Sequence, residues 1–395
     1  MAKIIPARFS NDVGQMSLTF FDNDGRPFEA SGASIFEPSS ASWRMLEFFS
    51  GSGLVSYGLR PFFSPVWAND NSIKKNEIYA RNFGSINLCS DDIRNVRGGS
   101  LPFAHLSWAS FPCQDLSLAG KRGGLAAERS GLVWEWLRIF DEMPKRPAVV
   151  VLENVAGLLT VDFSAIHHCL DDLGYRSGAI LINADLFLPQ SRPRVFILGV
   201  DKAVDLPVEL VDEGPNWLHK NKALVSAASE LDSWVWWKTA EPSIRKENLA
   251  TFLDDDVPFD KDHVLELIPE RQLKRLAVLD DFCGTAYRRT RNGKQCLEVR
   301  FDGVAGCLRT AAGGSSKQFV VVKKDGLLHA RVLRAREAAR LMGAPDEYYL
   351  PKSENDGYFA MGDAVAVPVA EFIGKRFLVK LVEAAYGRCS EKEVA

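Results

Sequence analysis

Between Arg44 and Val200 the chain alternates short apolar runs with stretches of helical spacing. Arg44 to Phe49, Pro65 to Ala68, His105 to Trp108, Ala148 to Leu152 and Val195 to Val200 are mostly apolar, the pattern of strands buried on both faces of a parallel sheet. Leu132, Trp136, Ile139, Phe140 and Met143 recur at helical spacing and mark a core-facing helix. Strands interleaved with helices predict an α/β, doubly wound domain. Between Asp201 and about Tyr349 the alternation lapses into Pro, Gly and the acidic run Asp254-Asp255-Asp256, which predicts a smaller, irregular second domain. Trp234, Trp236 and Trp237 lie inside it and suit either its core or a stacking surface. A helical pattern returns from Arg331 to Gly343, and an amphipathic helix ends the ordered pattern at Ala385. Ahead of the first strand, Met16 to Phe21 and Phe28 to Ser31 flank the turn signal Asp22-Asn23-Asp24-Gly25, predicting a short hairpin. The chain thus divides into an extension, 1–43, the main part of the large domain, 44–200, a second domain, 201–354, and a segment, 355–395, that returns to the large one.

In an open α/β sheet ligands bind at the carboxyl ends of the strands, so the residues there are the first candidates for chemistry. The first strand runs into Ser50-Gly51-Ser52-Gly53-Leu54, whose glycines permit a tight turn and close backbone approach to a ligand. The second ends at Asn69-Asp70-Asn71, where this architecture hydrogen-bonds a ribose, and Asp91-Asp92 before Ile93 offers an acceptor for an adenine amino group. Together they predict a nucleoside cofactor. A phosphate-cradling Gly-x-x-x-x-Gly-Lys-Ser/Thr loop is absent from the sequence. The third strand leads to Phe111-Pro112-Cys113-Gln114 and the fourth to Glu153-Asn154-Val155, so a thiol and a carboxylate are placed to meet over one substrate.

Composition narrows the class. With 46% hydrophobic and 25% charged residues in 395, the chain has enough apolar residues for a large core plus a second domain. No apolar run reaches the length of a membrane span, and Met1-Ala2-Lys3-Ile4-Ile5-Pro6 lacks a signal peptide's apolar region, so a cytoplasmic chain is expected. Seven cysteines without paired ligand spacing predict reduced thiols and no metal. The net charge of −3 conceals an asymmetry: residues 271–340 hold sixteen Lys plus Arg against six Asp plus Glu. That is the footprint of a nucleic-acid surface, densest at Arg288-Arg289-Thr290-Arg291-Asn292-Gly293-Lys294.

Phe49-Ser50-Gly51-Ser52-Gly53, Pro112-Cys113-Gln114, Glu153-Asn154-Val155, Gln190-Ser191-Arg192-Pro193-Arg194, Arg336-Glu337 and Gly362-Asp363-Ala364-Val365 follow one another in this order. In order and spacing they resemble the DNA (cytosine-5) methyltransferases, of the bacterial type found in restriction-modification and phage-defence systems, over about residues 44–386. The resemblance implies a Rossmann-like methyltransferase catalytic domain with a smaller target-recognition domain, S-adenosylmethionine as cofactor, a monomer, and double-stranded DNA as partner. It implies methyl transfer to C5 of a flipped-out cytosine through a covalent Cys113–C6 intermediate, with catalytic roles for Glu153, Arg192 and Arg194. Each arginine also fits an ordinary surface charge.

The cofactor pocket implied comprises Phe49, Ser50, Gly51, Gly53, Leu54, Asp70, Asn71, Asp92, Ile93, Pro112, Ala364 and Val365. DNA contacts are expected from Gln114 and from Ser117, Lys121 and Arg122 in the polar loop 117–129. Further contacts are expected from Arg288, Arg289, Arg291, Thr310 and Lys317. Arg336-Glu337 is assigned to organising the recognition domain. Two positions depart from the family: Asp363 stands where Asn is usual, and Leu54 where many members have Gly. An RNA-modifying enzyme of the same fold, a non-catalytic DNA-binding regulator and a nicotinamide oxidoreductase are the competing readings. The last shares only the glycine turn.

Overall fold

The computed structural model describes residues 20–21, 27–28, 43–112, 131–160, 163–254, 262–310 and 317–387. Near the N-terminus β1 (Phe20–Phe21) pairs antiparallel with β2 (Pro27–Phe28), across the turn signal read from the sequence. The apolar runs then build a seven-stranded sheet. Its members are β3 (Trp43–Phe48), β4 (Phe63–Asn69), β5 (Leu88–Cys89), β6 (Leu106–Ala109), β7 (Val149–Val155), β8 (Tyr175–Asn183) and β9 (Pro193–Asp201), in the spatial order β5-β4-β3-β6-β7-β9-β8. Neighbours from β5 to β7 are parallel, and β9 runs antiparallel to both β7 and β8. The order reverses between β3 and β6, which opens a crevice at their carboxyl ends.

Helices α1 (Leu54–Leu59), α2 (Ile73–Phe83), α3 (Leu132–Glu142) and α4 (Phe163–Asp172) cover the sheet. Because strand side chains alternate, Met45, Val149, Val151, Phe196 and Leu198 enter one core, while Leu46, Phe48, Val150, Leu152, Val195 and Ile197 enter the other. Trp136, Ile139 and Phe140 of α3 are fully buried in the second, as their spacing predicts.

Residues 202–253 pack on the large domain. β10 (Val211–Asp212) pairs with β11 (Trp236–Trp237), α5 (Lys222–Ala228) lies between them in sequence, and the free edge of β8 is closed by Val235 N–H donating to Ser177 O at 3.0 Å. Trp237 is fully buried and its Nε1 donates to Gly178 O at 3.0 Å, an approach only glycine allows: a Cβ there would stand 1.9 Å from Val235 O. Trp234 packs against Phe163 and His167. These tryptophans are core residues of the large domain, not of the second one.

The second domain has its own sheet. β12 (Phe282–Arg291), β13 (Lys294–Val299), β14 (Gln318–Lys324) and β15 (Leu327–Val332) form an antiparallel array in the order β13-β12-β14-β15, with α6 (Glu270–Ala277) beside it. Ile268, Leu276, Ala286, Leu297, Phe319 and Val321 form its core. Its tight turns fall at Asn292-Gly293 and Asp325-Gly326, all four residues having positive φ, the conformation a two-residue hairpin loop requires.

The chain returns through α7 (Ala335–Leu341), α8 (Glu354–Gly362), α9 (Val367–Ile373) and α10 (Val379–Tyr386), the last two joined by a π-helical turn, Gly374–Leu378. α9 lies against α1 so closely that a Cβ on Gly58 would stand 2.7 Å from Val367 O. Among the described residues no helix is long and apolar enough to cross a membrane.

Candidate active site at the carboxyl edge of the sheet

The turn after β3 is held in a left-handed conformation by three residues, Phe49 (φ 56°), Gly51 (φ 56°) and Gly53 (φ 89°). At Gly53 a side chain is excluded by space as well, since a Cβ would meet the Phe83 ring at 2.4 Å. Asp70, at the end of β4, fastens this turn: its carboxylate accepts from Gly51 N–H at 3.0 Å and from Ser72 N–H at 2.8 Å. Two acceptances leave further lone pairs for ribose hydroxyls. Burial raises its pKa, opposed by Lys75. Ser50 Oγ and Ser52 Oγ are buried with no hydrogen-bond partner among the described residues. A turn with bare backbone, unsatisfied hydroxyls and a carboxylate beside it fits a nucleoside cofactor.

The remaining pocket candidates surround that turn unequally. Ile93 and Val365 are buried, Pro112 and Ala364 half-buried, and Asn71 exposed. Leu54 is buried in the core as the first residue of α1, so the departure from Gly serves packing. Asp92 is engaged by Arg94, which donates from Nε at 2.9 Å and Nη2 at 2.7 Å; that hydrogen bonding holds its carboxyl below the usual range. Asp363 pairs with Lys75 at 2.5 Å, which gives the unusual carboxylate its cation.

Glu153 is delivered by β7 and lies almost fully buried, with Oε1 3.1 Å from Arg194 Nε. Burial raises its pKa, while Arg194 and then Arg192 work in the other direction. The carboxyl is therefore easier to protonate than an exposed one, yet held in place by a cation. Asn154 donates from Nδ2 to Phe111 O at 3.1 Å, pinning the segment that leads to Cys113. Arg192 is 1% exposed; its Nη1 donates to Leu308 O at 2.9 Å and its Nη2 to Gly362 O at 3.1 Å and Ala364 O at 2.6 Å. It is thus a buried fastener of three segments, and the surface-charge alternative fails for both arginines because burial and pairing remove them from solvent. Cys113, Gln114, Ser117, Lys121 and Arg122 lie outside the described residues.

The strand alternation of β12 separates its arginines. Arg288 shares a face with Ala286 and packs its guanidinium 5.3 Å from the Phe319 ring centroid, its Nε buried and without a hydrogen-bond partner among the described residues. Arg289 and Arg291 share the other face with Tyr287, whose hydroxyl donates to Cys307 O beside the clamp. Arg291 is bidentate to Glu298 at 2.6 and 3.0 Å, and Arg289 lies 4.8 Å from the Tyr287 ring centroid. Lys317 donates to Asn355 of α8, and Thr310 N lies where a Cβ on Gly362 would be, 2.3 Å away. Glu337 pairs with Arg331 at 2.6 Å in full burial and also accepts from Asp254 N–H, whereas Arg336 donates to Pro345 O. The partner of Glu337 is therefore not its sequence neighbour.

Three residues, buried Gln190 and Gln318 and half-buried Cys307, were given no role of their own in the sequence. Gln190 donates to Leu341 O at 2.5 Å and accepts from Leu308 N–H; Gln318 both donates to and accepts from the backbone of Gly306, each at 2.8 Å. Cys307 Sγ stands 3.5 Å from Arg192 Nη1 and 4.0 Å from both terminal nitrogens of Arg194. Burial would raise that thiol, but the two guanidiniums outweigh it and hold its pKa below the usual value. No spacing or motif marks Cys307, because its neighbours arrive from distant segments.

A seven-stranded sheet with one reversed strand, a glycine turn over a carboxylate, and a buried carboxyl clamped by arginine define a Rossmann-like methyltransferase. The family described as C-5 cytosine-specific DNA methylase matches residues 43–378, and the chain belongs to it as an S-adenosylmethionine-dependent DNA cytosine-5 methyltransferase of bacterial type. It is 26% identical over 348 residues to the Type II methyltransferase M1.ScrFI of Lactococcus lactis subsp. cremoris, covering 86% of this chain and 79% of the relative. To M.HpaII of Haemophilus parainfluenzae it is 26% identical over 387 residues, 89% of this chain and 95% of the relative. Among solved structures, the Dnmt2 methyltransferase of S. pombe superposes with a TM-score of 0.53 at 20% identity, over 84% of this chain and 98% of that one. The Entamoeba histolytica methyltransferase EhMeth gives 0.57 at 16%, over 87% and 98%. At these identities the structural likeness speaks for the fold.

Proposed function

We propose that the chain methylates C5 of a flipped-out cytosine in a specific duplex DNA sequence through a covalent Cys113–C6 intermediate. The observation that carries this reading is the buried Glu153–Arg194 pair at 3.1 Å, opening at the sheet edge where Asn154 fixes the segment leading to Cys113. Adding a thiolate to C6 moves the ring's electrons toward C5 and N3; protonated Glu153 donates to N3 and stabilises that charge. Arg194 keeps the Glu153 carboxyl aimed, and Arg192 keeps the carbonyls of Leu308, Gly362 and Ala364 around it. S-adenosylmethionine, when bound, supplies the methyl group as a sulfonium. Loss of the C5 proton then lets the C6–S bond break and returns Cys113 as thiolate.

In this reading Phe49 to Gly53, Asp70 and Asp92 hold the cofactor, while Gln114, Ser117, Lys121 and Arg122 close on the extruded base. Arg289 meets the DNA from the recognition sheet. The enzyme acts in the cytoplasm as the self-protecting partner of a restriction or phage-defence system. The test is covalent capture on a 5-fluorocytosine duplex, where fluorine cannot leave as a proton does. Wild-type protein is expected to form an adduct that survives denaturation, and Cys113→Ser none while still binding duplex. An adduct with the serine variant removes Cys113 from the central role, and capture on RNA in preference to DNA replaces the substrate.

A further inference from the structure

Two segments distant in the chain meet over the glycine turn through a charged pair. Lys75, on α2, places Nζ 2.5 Å from Oδ2 of Asp363, which follows α8. The lysine stem lies over the turn itself, since a Cβ built on Gly51 would stand 3.8 Å from Lys75 Cδ. Asp363 stands between Gly362 and Ala364, the two residues whose carbonyls receive Arg192 Nη2. The pair therefore bridges the turn that would hold the nucleoside and the clamp that would hold the reacting base. Fastening α2 to α8 does not explain it, because Lys74 and Asp356 already do so at 2.6 Å. Lys75 is 12% exposed and Asp363 38%, so a ligand can reach the pair without unburying it.

We propose that Lys75 and Asp363 cradle the amino-acid end of the cofactor, Lys75 receiving its α-carboxylate and Asp363 its α-ammonium. The inference rests on S-adenosylmethionine being the cofactor. An amino-acid end is a zwitterion, and a fixed cation beside a fixed anion is its electrostatic complement. When the ligand is absent the two side chains satisfy one another, so Lys75, the more buried of the two, keeps a counter-charge. When it is present each makes a charge-assisted hydrogen bond in a partly desolvated site. Asp70, fastened to Gly51 N–H, would take the ribose end, on the same turn that the Lys75 stem overlies.

Isothermal titration of the full chain with S-adenosylhomocysteine and with 5′-methylthioadenosine, which lacks the amino-acid end, tests this. Lys75→Met and Asp363→Asn are each expected to weaken S-adenosylhomocysteine by about tenfold while 5′-methylthioadenosine stays within about twofold. The exchanged variant Lys75→Asp/Asp363→Lys restores a fastening of reversed polarity, and is expected to bind S-adenosylhomocysteine as weakly as the single variants. Equal losses for both ligands, unchanged binding of S-adenosylhomocysteine, or its recovery in the exchanged variant would each overturn the assignment. Wild-type protein that binds neither nucleoside removes the cofactor reading itself, and this inference with it.

Discussion

Glu47 lies in β3, two residues before the glycine turn, and is 1% exposed. Ser56 donates to one of its oxygens, while the other, Oε1, is buried without a partner. Burial is the main cause that lifts its pKa from the ordinary 4.5 to about 8, and the Ser56 hydrogen bonds only partly oppose it. Between those two values the folded chain holds a proton that the unfolded chain has released, so stability falls as pH rises. The contribution is fully present below 4.5 and lost by about 8. Well inside that window each pH unit costs about 1.4 kcal/mol, less as the folded carboxyl itself begins to ionise, so from pH of about 6 to about 8 the wild type should lose about 2 kcal/mol through this one group. Glu47→Gln keeps the shape and accepts from Ser56 but cannot ionise. Urea unfolding of both proteins across that range, taken as a difference, cancels every other titrating group. The variant should gain on the wild type steadily with pH. Parallel curves would refute the reasoning and mean that water or a cation reaches Glu47 in the folded chain.

Two further outcomes are expected. Glu153→Gln still donates a hydrogen bond but cannot transfer a proton, so kcat should fall by about 10²–10⁴ while duplex affinity is retained; single-turnover methylation and filter binding separate the two, and a parallel loss of affinity would make Glu153 structural. Arg289→Ala should weaken all duplexes and reduce the slope of log affinity against log salt by about one, whereas Arg288→Ala, facing the recognition core, should lower stability and leave the slope alone. Equal slopes for both would mean that β12 does not sort its arginines as its alternation indicates.

The large sheet was legible because strands buried on both faces leave uninterrupted apolar runs, as at Val149 to Leu152. The glycine turn was legible because left-handed backbone leaves a residue-type signature at Gly51 and Gly53. The recognition sheet was not, although its Asn292-Gly293 and Asp325-Gly326 turns carry a hairpin signal; the basic residues around them invited a reading by charge instead. Charge was equally misleading about Arg288, which reads as exposed in a basic run and is turned inward by strand alternation. That the tryptophans belong to the large domain's core was not legible, because nothing local reveals that Gly178 on β8 admits Trp237.

The long-range pairings that assemble the site are what the sequence does not display. Gln190, Arg192 and Glu337 are buried polar groups with partners far away in sequence: Leu341 and Leu308 for Gln190, Leu308, Gly362 and Ala364 for Arg192, Asp254 for Glu337. A buried polar group left unpaired costs about 1–3 kcal/mol, so each of these segments is stable in place only when the others have arrived. The sheet of the second domain is tied into the same set through Gln318 and Gly306, one residue before the thiol that borders Arg192. Displacing that sheet therefore moves backbone that directly touches the arginines beside Glu153. Under the proposed function, in which the second domain reads the duplex, that continuity couples recognition to catalysis through the backbone around Arg192.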